Sequence, residues 1–179
     1  MEMDVNTANG VERKLVWYLL YRVTYRGNDY QPVIEKDNFD NPVYGKPSQV
    51  SAKWVRFMPN FWLQSKGLKS TTKELRLLDT VIPNAVARIA AEERITGPLY
   101  DSMTIQRQKV ELGQSMWGVA TWTDIDPNMD FFTIEVKGLT NAQRIQLEGD
   151  KLKYLHKTLV LNFFRPGDTI NTGADKIQY

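Results

Sequence analysis

The sequence predicts a mainly β protein, an antiparallel sandwich with one accessory α-helix, and three observations carry that reading. Roughly six or seven segments have strand character, rich in aromatic and β-branched residues and bounded by Gly, Pro, Asn or Asp. One window alone has a helical period with helix punctuation at both ends. Strand and helix do not alternate in the βαβ manner, so the sheets are expected to be antiparallel.

Taken in order, residues 1–13 are polar and acidic, hold a turn signal at Asn9-Gly10, and read as a flexible lead-in. Lys14 to Tyr25, KLVWYLLYRVTY, runs without Gly or Pro and is the stretch around which the chain is organised. Trp17, Leu19, Tyr21, Val23 and Tyr25 share one face, and Val16, Tyr18 and Leu20 the other. Apolar on both faces, it reads as a central strand, interior on both sides from Leu15 to Val23. Arg26-Gly27-Asn28-Asp29 ends it. Tyr30 to Ser51, with Pro32, Pro42, Gly45 and Pro47, is a long irregular span, either a surface excursion or a binding edge.

Ala52 to Ser65 resumes strand character, with Val55, Phe57, Phe61 and Leu63 alternating against polar neighbours. Pro59 donates no ladder hydrogen bond, so an edge strand or a bulge is expected there. Ser65 to Asp79 fits either a capping box, Thr71-x-x-Glu74, or a short strand through Leu75, Leu77 and Leu78. The helix spans about 83–94, with Ile82, Ala85, Val86 and Ile89 as its stripe and Thr96-Gly97-Pro98 as its stop. So narrow a stripe suits plugging an end or seam of the sheets. Met103 to Leu112 reads as an exposed strand with Ile105 and Val110 inward. Met116 to Thr123 and Phe131 to Lys137 read as a hairpin joined through Asp124 to Asp130. Gly138 to Asp150 is a polar excursion, with a helical turn expected near Ala142 to Leu147. Tyr154 to Arg165 is the second long apolar strand, closed by Pro166-Gly167-Asp168. Residues 169–179 form a polar tail, which leaves one sandwich domain over 14–168.

Composition narrows the function classes. The 179 residues are 42% hydrophobic and 25% charged, enough to bury a core. With 23 Lys and Arg against 21 Asp and Glu, and no basic run, nucleic acid is not an expected partner. There is no Cys, which removes disulfides and thiolate metal sites. No apolar run reaches the ~18 residues of a membrane helix. The first residues are acidic rather than basic-then-apolar, so the protein stays inside or the chain is a mature segment.

The pieces VWYLLYRVTYRG, Pro59-Asn60-Phe61, WGVATWTDID, KGLTNAQ and TLVLNFFRPGD resemble segments of an uncharacterised family of bacterial cell-envelope proteins. The resemblance covers most of residues 14–168 and rests on structural motifs. It implies an immunoglobulin-like sandwich and an exported or cell-envelope location, and it carries no catalytic residue.

Few constellations carry chemistry. His156 is the only histidine, with no nucleophile elbow and no HExxH, and no Gly-rich phosphate loop is present. Asp124, Asp126, Asn128 and Asp130 recur every second residue, with Glu135 at the twelfth position, the oxygen-ligand spacing of a calcium loop. Met129 stands where that loop needs Gly, Pro127 stiffens it, and no helices flank it, so an EF-hand is not expected. A looser calcium site formed by Asp124, Asp126 and Asp130 competes with plain turn chemistry. Among the five tryptophans, Trp17 and Trp54 read as core, while Trp62 alternates outward and Trp117 and Trp122 take opposite faces. Trp62 and Trp122 are therefore candidates for a polysaccharide-stacking platform, against the competing reading of core or interface payload. The expected function is a non-enzymatic structural or protein-interaction module. It would act by self-association or partner docking through edge strands (the Pro59 segment and Met103 to Leu112) or outward aromatics. A carbohydrate-binding module with a structural calcium ion is the alternative.

Overall fold

The computed structural model describes residues 1–31, 33–44, 48–65, 75–126, 129–141, 143–149 and 151–164. The chain opens with β1 (Glu2–Thr7), β2 (Gly10–Leu15) and β3 (Trp17–Thr24). Short strands follow: β4 (Asp29–Gln31), β5 (Ile34–Lys36), β6 (Pro42–Tyr44), β7 (Ser48–Val50) and β8 (Trp54–Val55). Next come β9 (Asn60–Ser65), β10 (Leu75–Leu78), α1 (Ala85–Glu92) and β11 (Leu99–Asp101). A 3-10 helix (Ile105–Arg107) leads into β12 (Val110–Glu111), β13 (Ser115–Trp122) and β14 (Phe131–Lys137). The described chain ends with β15 (Gln143–Glu148), β16 (Lys151–His156) and β17 (Leu159–Phe164).

Two larger sheets hold the core. One has the order β10-β9-β14-β17 and is antiparallel throughout; the other has the order β11-β13-β3. In the second sheet β13 runs antiparallel to β3 and parallel to β11. Trp17, Ala120 and Trp122 from the second sheet meet Phe61, Leu63, Phe132, Ile134 and Val136 from the first in a single apolar cluster. Trp17 sets its edge against Phe132 at 5.3 Å between ring centroids. The period-two alternation of β14 is what puts Phe132, Ile134 and Val136 inside. The other face of the three-stranded sheet packs Val16 and Val119 against Met3 and against Ile82, Ala85 and Ile89. Hence the two-sided apolar pattern of KLVWYLLYRVTY has a direct cause: one face meets the partner sheet, the other meets β1 and α1.

Several expectations are corrected. β3 flanks its sheet, and β13 is the central strand, buried from Gly118 to Trp122. Val16 and Trp17 are buried, but Tyr18 to Tyr21 stay half-exposed, and among the described residues no strand pairs with the outer edge of β3. Residues 1–13 are no loose lead-in: they form β1 and most of β2, a hairpin turned between Thr7 and Gly10, with Gly10 at φ 121°. The Met3/Val5 alternation that anchors it is hidden among acidic neighbours. The helix covers the outer face of the three-stranded sheet rather than plugging an end.

The Pro59 segment is not an edge. It divides into β8 and β9, and β9 lies between β10 and β14 because the proline falls just before the first ladder position. Met103 to Leu112 is not one exposed strand either. Asp101 Oδ1 accepts the N–H groups of Met103 and Thr104 at 2.9 and 2.7 Å, which turns the chain just before the 3-10 helix, and β12 then pairs with β8. Ile105 and Val110 are buried, as their pattern required. β13 and β14 form no hairpin but belong to different sheets, and Ile125 and Met129 of their connection are buried in the shared cluster. The segment read as a helical turn is β15, paired with β16, and the long C-terminal strand is two, β16 and β17. Leu75 to Leu78 is a strand, while Thr71 and Glu74 lie outside the described residues, as does the 169–179 tail. The long span after β3 contains two small ribbons, β4–β7 and β5–β6.

Candidate interaction surface

In the four-stranded sheet the residues between core positions must face outward. Register lines them up: Leu78 and Glu135 flank Trp62, Val160 flanks Glu135, and Phe131 lies opposite Phe164. Leu78, Phe131, Val160 and Phe164 are 44%, 55%, 50% and 38% exposed, and they form two apolar groups on that face, separated by the polar row of Gln64, Thr133 and Asn162. The Phe131 and Phe164 rings stack at 6.3 Å. Trp62 is half-buried, because the Arg76 guanidinium lies 4.4 Å above its ring centroid. Arg76 also stands 3.9 Å from Glu135, so the charges in the middle of the face offset one another. Aromatic and Arg side chains around neutralised charge are the composition of a protein-docking core. Trp62 was legible as outward-facing. Phe131, Val160, Phe164 and Leu78 were not, since β14 and β17 become neighbours only through register.

Trp122 is 1% exposed, which removes it as a stacking platform. It lies on the core side of β13, where its indole fills the space between the sheets. Trp117 is half-exposed, 5.7 Å from the Arg22 guanidinium.

The acidic loop does not gather its carboxylates. Asp124 turns outward at φ 60° and accepts from Lys14 Nζ at 2.9 and 3.2 Å and from Thr123 Oγ1 at 3.0 Å. Lys14, then Thr123, hold this carboxyl below its ordinary pKa. Among the described residues no three acidic or imidazole groups come together as a metal set, Asp124, Asp126 and Asp130 included. Instead, Ile125 and Met129 turn inward between them, which spreads the acids around the loop.

A buried polar group not singled out from sequence joins β10 to β11. Ser102 Oγ donates to Asp79 Oδ2, and the Asp79 N–H donates to the Phe61 carbonyl at 3.0 Å. Burial pushes the Asp79 carboxyl above its ordinary pKa, opposed by the Ser102 hydrogen bond. A serine and an acid do not make a catalytic relay without a base, and His156, the only imidazole, is exposed on β16. The pair ties two strand ends together.

In comparisons of sequence and of fold, no family model, curated protein or solved structure matches this chain.

Proposed function

We propose that the protein is a non-enzymatic protein-interaction module with an immunoglobulin-like sandwich, working in the bacterial cell envelope and associating through the outer face of its four-stranded sheet. The observation that carries this reading is the pair of exposed apolar groups on that face, Leu78 and Val160 in the Trp62 row and the stacked Phe131 and Phe164, on either side of the row that holds Arg76. Strand order supports the sandwich type. Reading β3, β9, β10, β11, β13, β14 and β17 as strands B to G of that fold, with β10 as C′, gives sheets D-E-B and C′-C-F-G. Two features depart from that pattern: the β11–β13 pair is parallel, and among the described residues no strand A pairs beside β3. The envelope location rests on the sequence resemblance alone. Of the segments first expected to mediate association as edges, β9 is interior, Ile105–Arg107 is helical, and β8 and β12 pair with each other as two-residue strands, so the outer sheet face is the surface proposed for that role.

Sedimentation over about a hundredfold concentration range tests the association, since mass action makes a real equilibrium concentration-dependent. The wild-type chain is expected to self-associate, and Phe131→Ser/Phe164→Ser to stay monomeric with an unchanged fold. A wild-type monomer throughout, with no cross-linked partner in envelope extracts, overturns the proposal. Polysaccharide binding is the competing reading. It predicts quenching of Trp62 fluorescence by added glycan, although Arg76 already occupies a face of that ring.

A further inference from the structure

At the end of the molecule where β3 runs out lies an open cleft of about 590 Å³, a size that suits a small organic ligand. One wall is the turn after β3, including Arg26 and Asp29, and the other is the β8–β9 connection, including Val55, Arg56 and Phe57. The turn after β14 closes it. Gly138 sits there at φ 85°, and a Cβ on it would come 2.0 Å from the Met58 carbonyl oxygen. Only glycine lets this turn approach the β8–β9 connection so closely.

The lining is chemically uneven. Val110 and Phe57 are 1% and 5% exposed and give the cleft an apolar side. Arg26 and Arg56 also line it, and among the described residues neither forms an ion pair. Asp29 is the one carboxylate lining the cleft, and its Oδ2 already accepts from Tyr25 Oη and from the Ala52 N–H. On the adjoining β8–β12 ribbon, Lys109 Nζ lies 4.3 Å over the Trp54 ring and Arg56 lies 5.8 Å from it. Lys109 likewise pairs with no carboxylate among the described residues, and Glu111 is the ribbon's only acid. Guanidinium groups beside apolar surface are suited to a planar oxyanion, which they bind in a forked geometry.

We propose that this cleft binds a small organic anion, a carboxylate with an aliphatic or aromatic body. Arg26 and Arg56 hold the carboxylate, and the Val55–Phe57–Val110 wall receives the body. The cleft is separate from the outer sheet face, so the two proposals fail independently.

The test is an isotope-edited NMR titration of the full chain with benzoate, with benzyl alcohol as the neutral match and inorganic phosphate as the anion without a body. Saturable shifts confined to the amides of Gly27, Val110 and Leu139 are expected. Benzyl alcohol and phosphate should each bind at least about tenfold more weakly than benzoate. Arg26→Gln/Arg56→Gln should weaken benzoate about tenfold with no change in melting temperature, both side chains being exposed. Shifts that do not saturate, equal binding of benzyl alcohol or phosphate, or unchanged benzoate affinity in the double variant would overturn the proposal.

Discussion

Tyr21 and Gly118 show how one contact between adjacent strands shapes the core. They are register partners on β3 and β13, and a Cβ on Gly118 would lie 2.3 Å from Tyr21 Cζ. The missing side chain lets the tyrosine ring lie across β13 and reach Phe61 at 4.9 Å and Phe57 at 6.1 Å. Tyr21 Oη is buried without a hydrogen-bond partner among the described residues, and burial, followed by the charges of Asp79 and Asp101, raises its pKa and keeps it neutral. Two substitutions probe this arrangement by urea denaturation. Gly118→Ala forces ring and backbone apart and should cost ~1–3 kcal/mol as an overpacked site. Tyr21→Phe keeps the ring and removes an unsatisfied hydroxyl, so stability should hold or rise, by up to ~1–3 kcal/mol. A loss above about 1 kcal/mol in Tyr21→Phe would show that the hydroxyl has a partner after all.

Among the elements, α1 owes its existence to packing. It has eight residues, no side-chain cap at Asn84, no acid in its first turn and no base in its last. Such a helix is marginal alone, where ~12–15 residues are needed. The buried stripe of Ile82, Ala85 and Ile89 against Val16 and Val119 supplies what local sequence lacks. Ile89→Ala should therefore cost ~2–5 kcal/mol. Hydrogen exchange should show residues 85–92 losing protection ahead of β13. A cost below about 1 kcal/mol would place the helix's stability in its own backbone instead.

At the scale of the whole molecule, acids shifted in opposite directions set the response to pH. Burial raises the Asp79 pKa above 3.8, so between that value and its folded pKa the native state binds more protons than the unfolded one. Its contribution is greatest at low pH and falls as pH rises through that window. Asp124, lowered by Lys14, and Asp37, lowered by the N–H groups of Asn41 and Phe39, act oppositely: their contribution is present above 3.8 and lost as pH falls below it. Asp79→Asn should remove the decline with rising pH while leaving the acid-side loss in place. Denaturation curves from about pH 3 to about pH 7 compare the two proteins. Identical slopes above the ordinary carboxylate pKa would show that Asp79 does not titrate differently in the folded state.

By itself the sequence determined the mainly β class, the position and stripe of α1, the burial of Trp17, Ile105 and Val110, and the turn at Asn9-Gly10. Each is recorded in local periodicity or turn chemistry, which state what a face or a bend requires. Partnership lies outside that record. The alternations in β13 and β14 are equally consistent with one hairpin or with strands in facing sheets, and only the inward Ile125 and Met129 between them decide for the latter. Trp122 and Trp62 both alternate within strands, yet one is sealed between two sheets and the other lies on an outer face under Arg76. Arg26 and Arg56 stand far apart in a chain of nearly balanced charge, and folding alone brings them to one cleft. The tertiary structure decided these points because a residue's environment is set by what packs and pairs against it, and those neighbours come from distant parts of the chain.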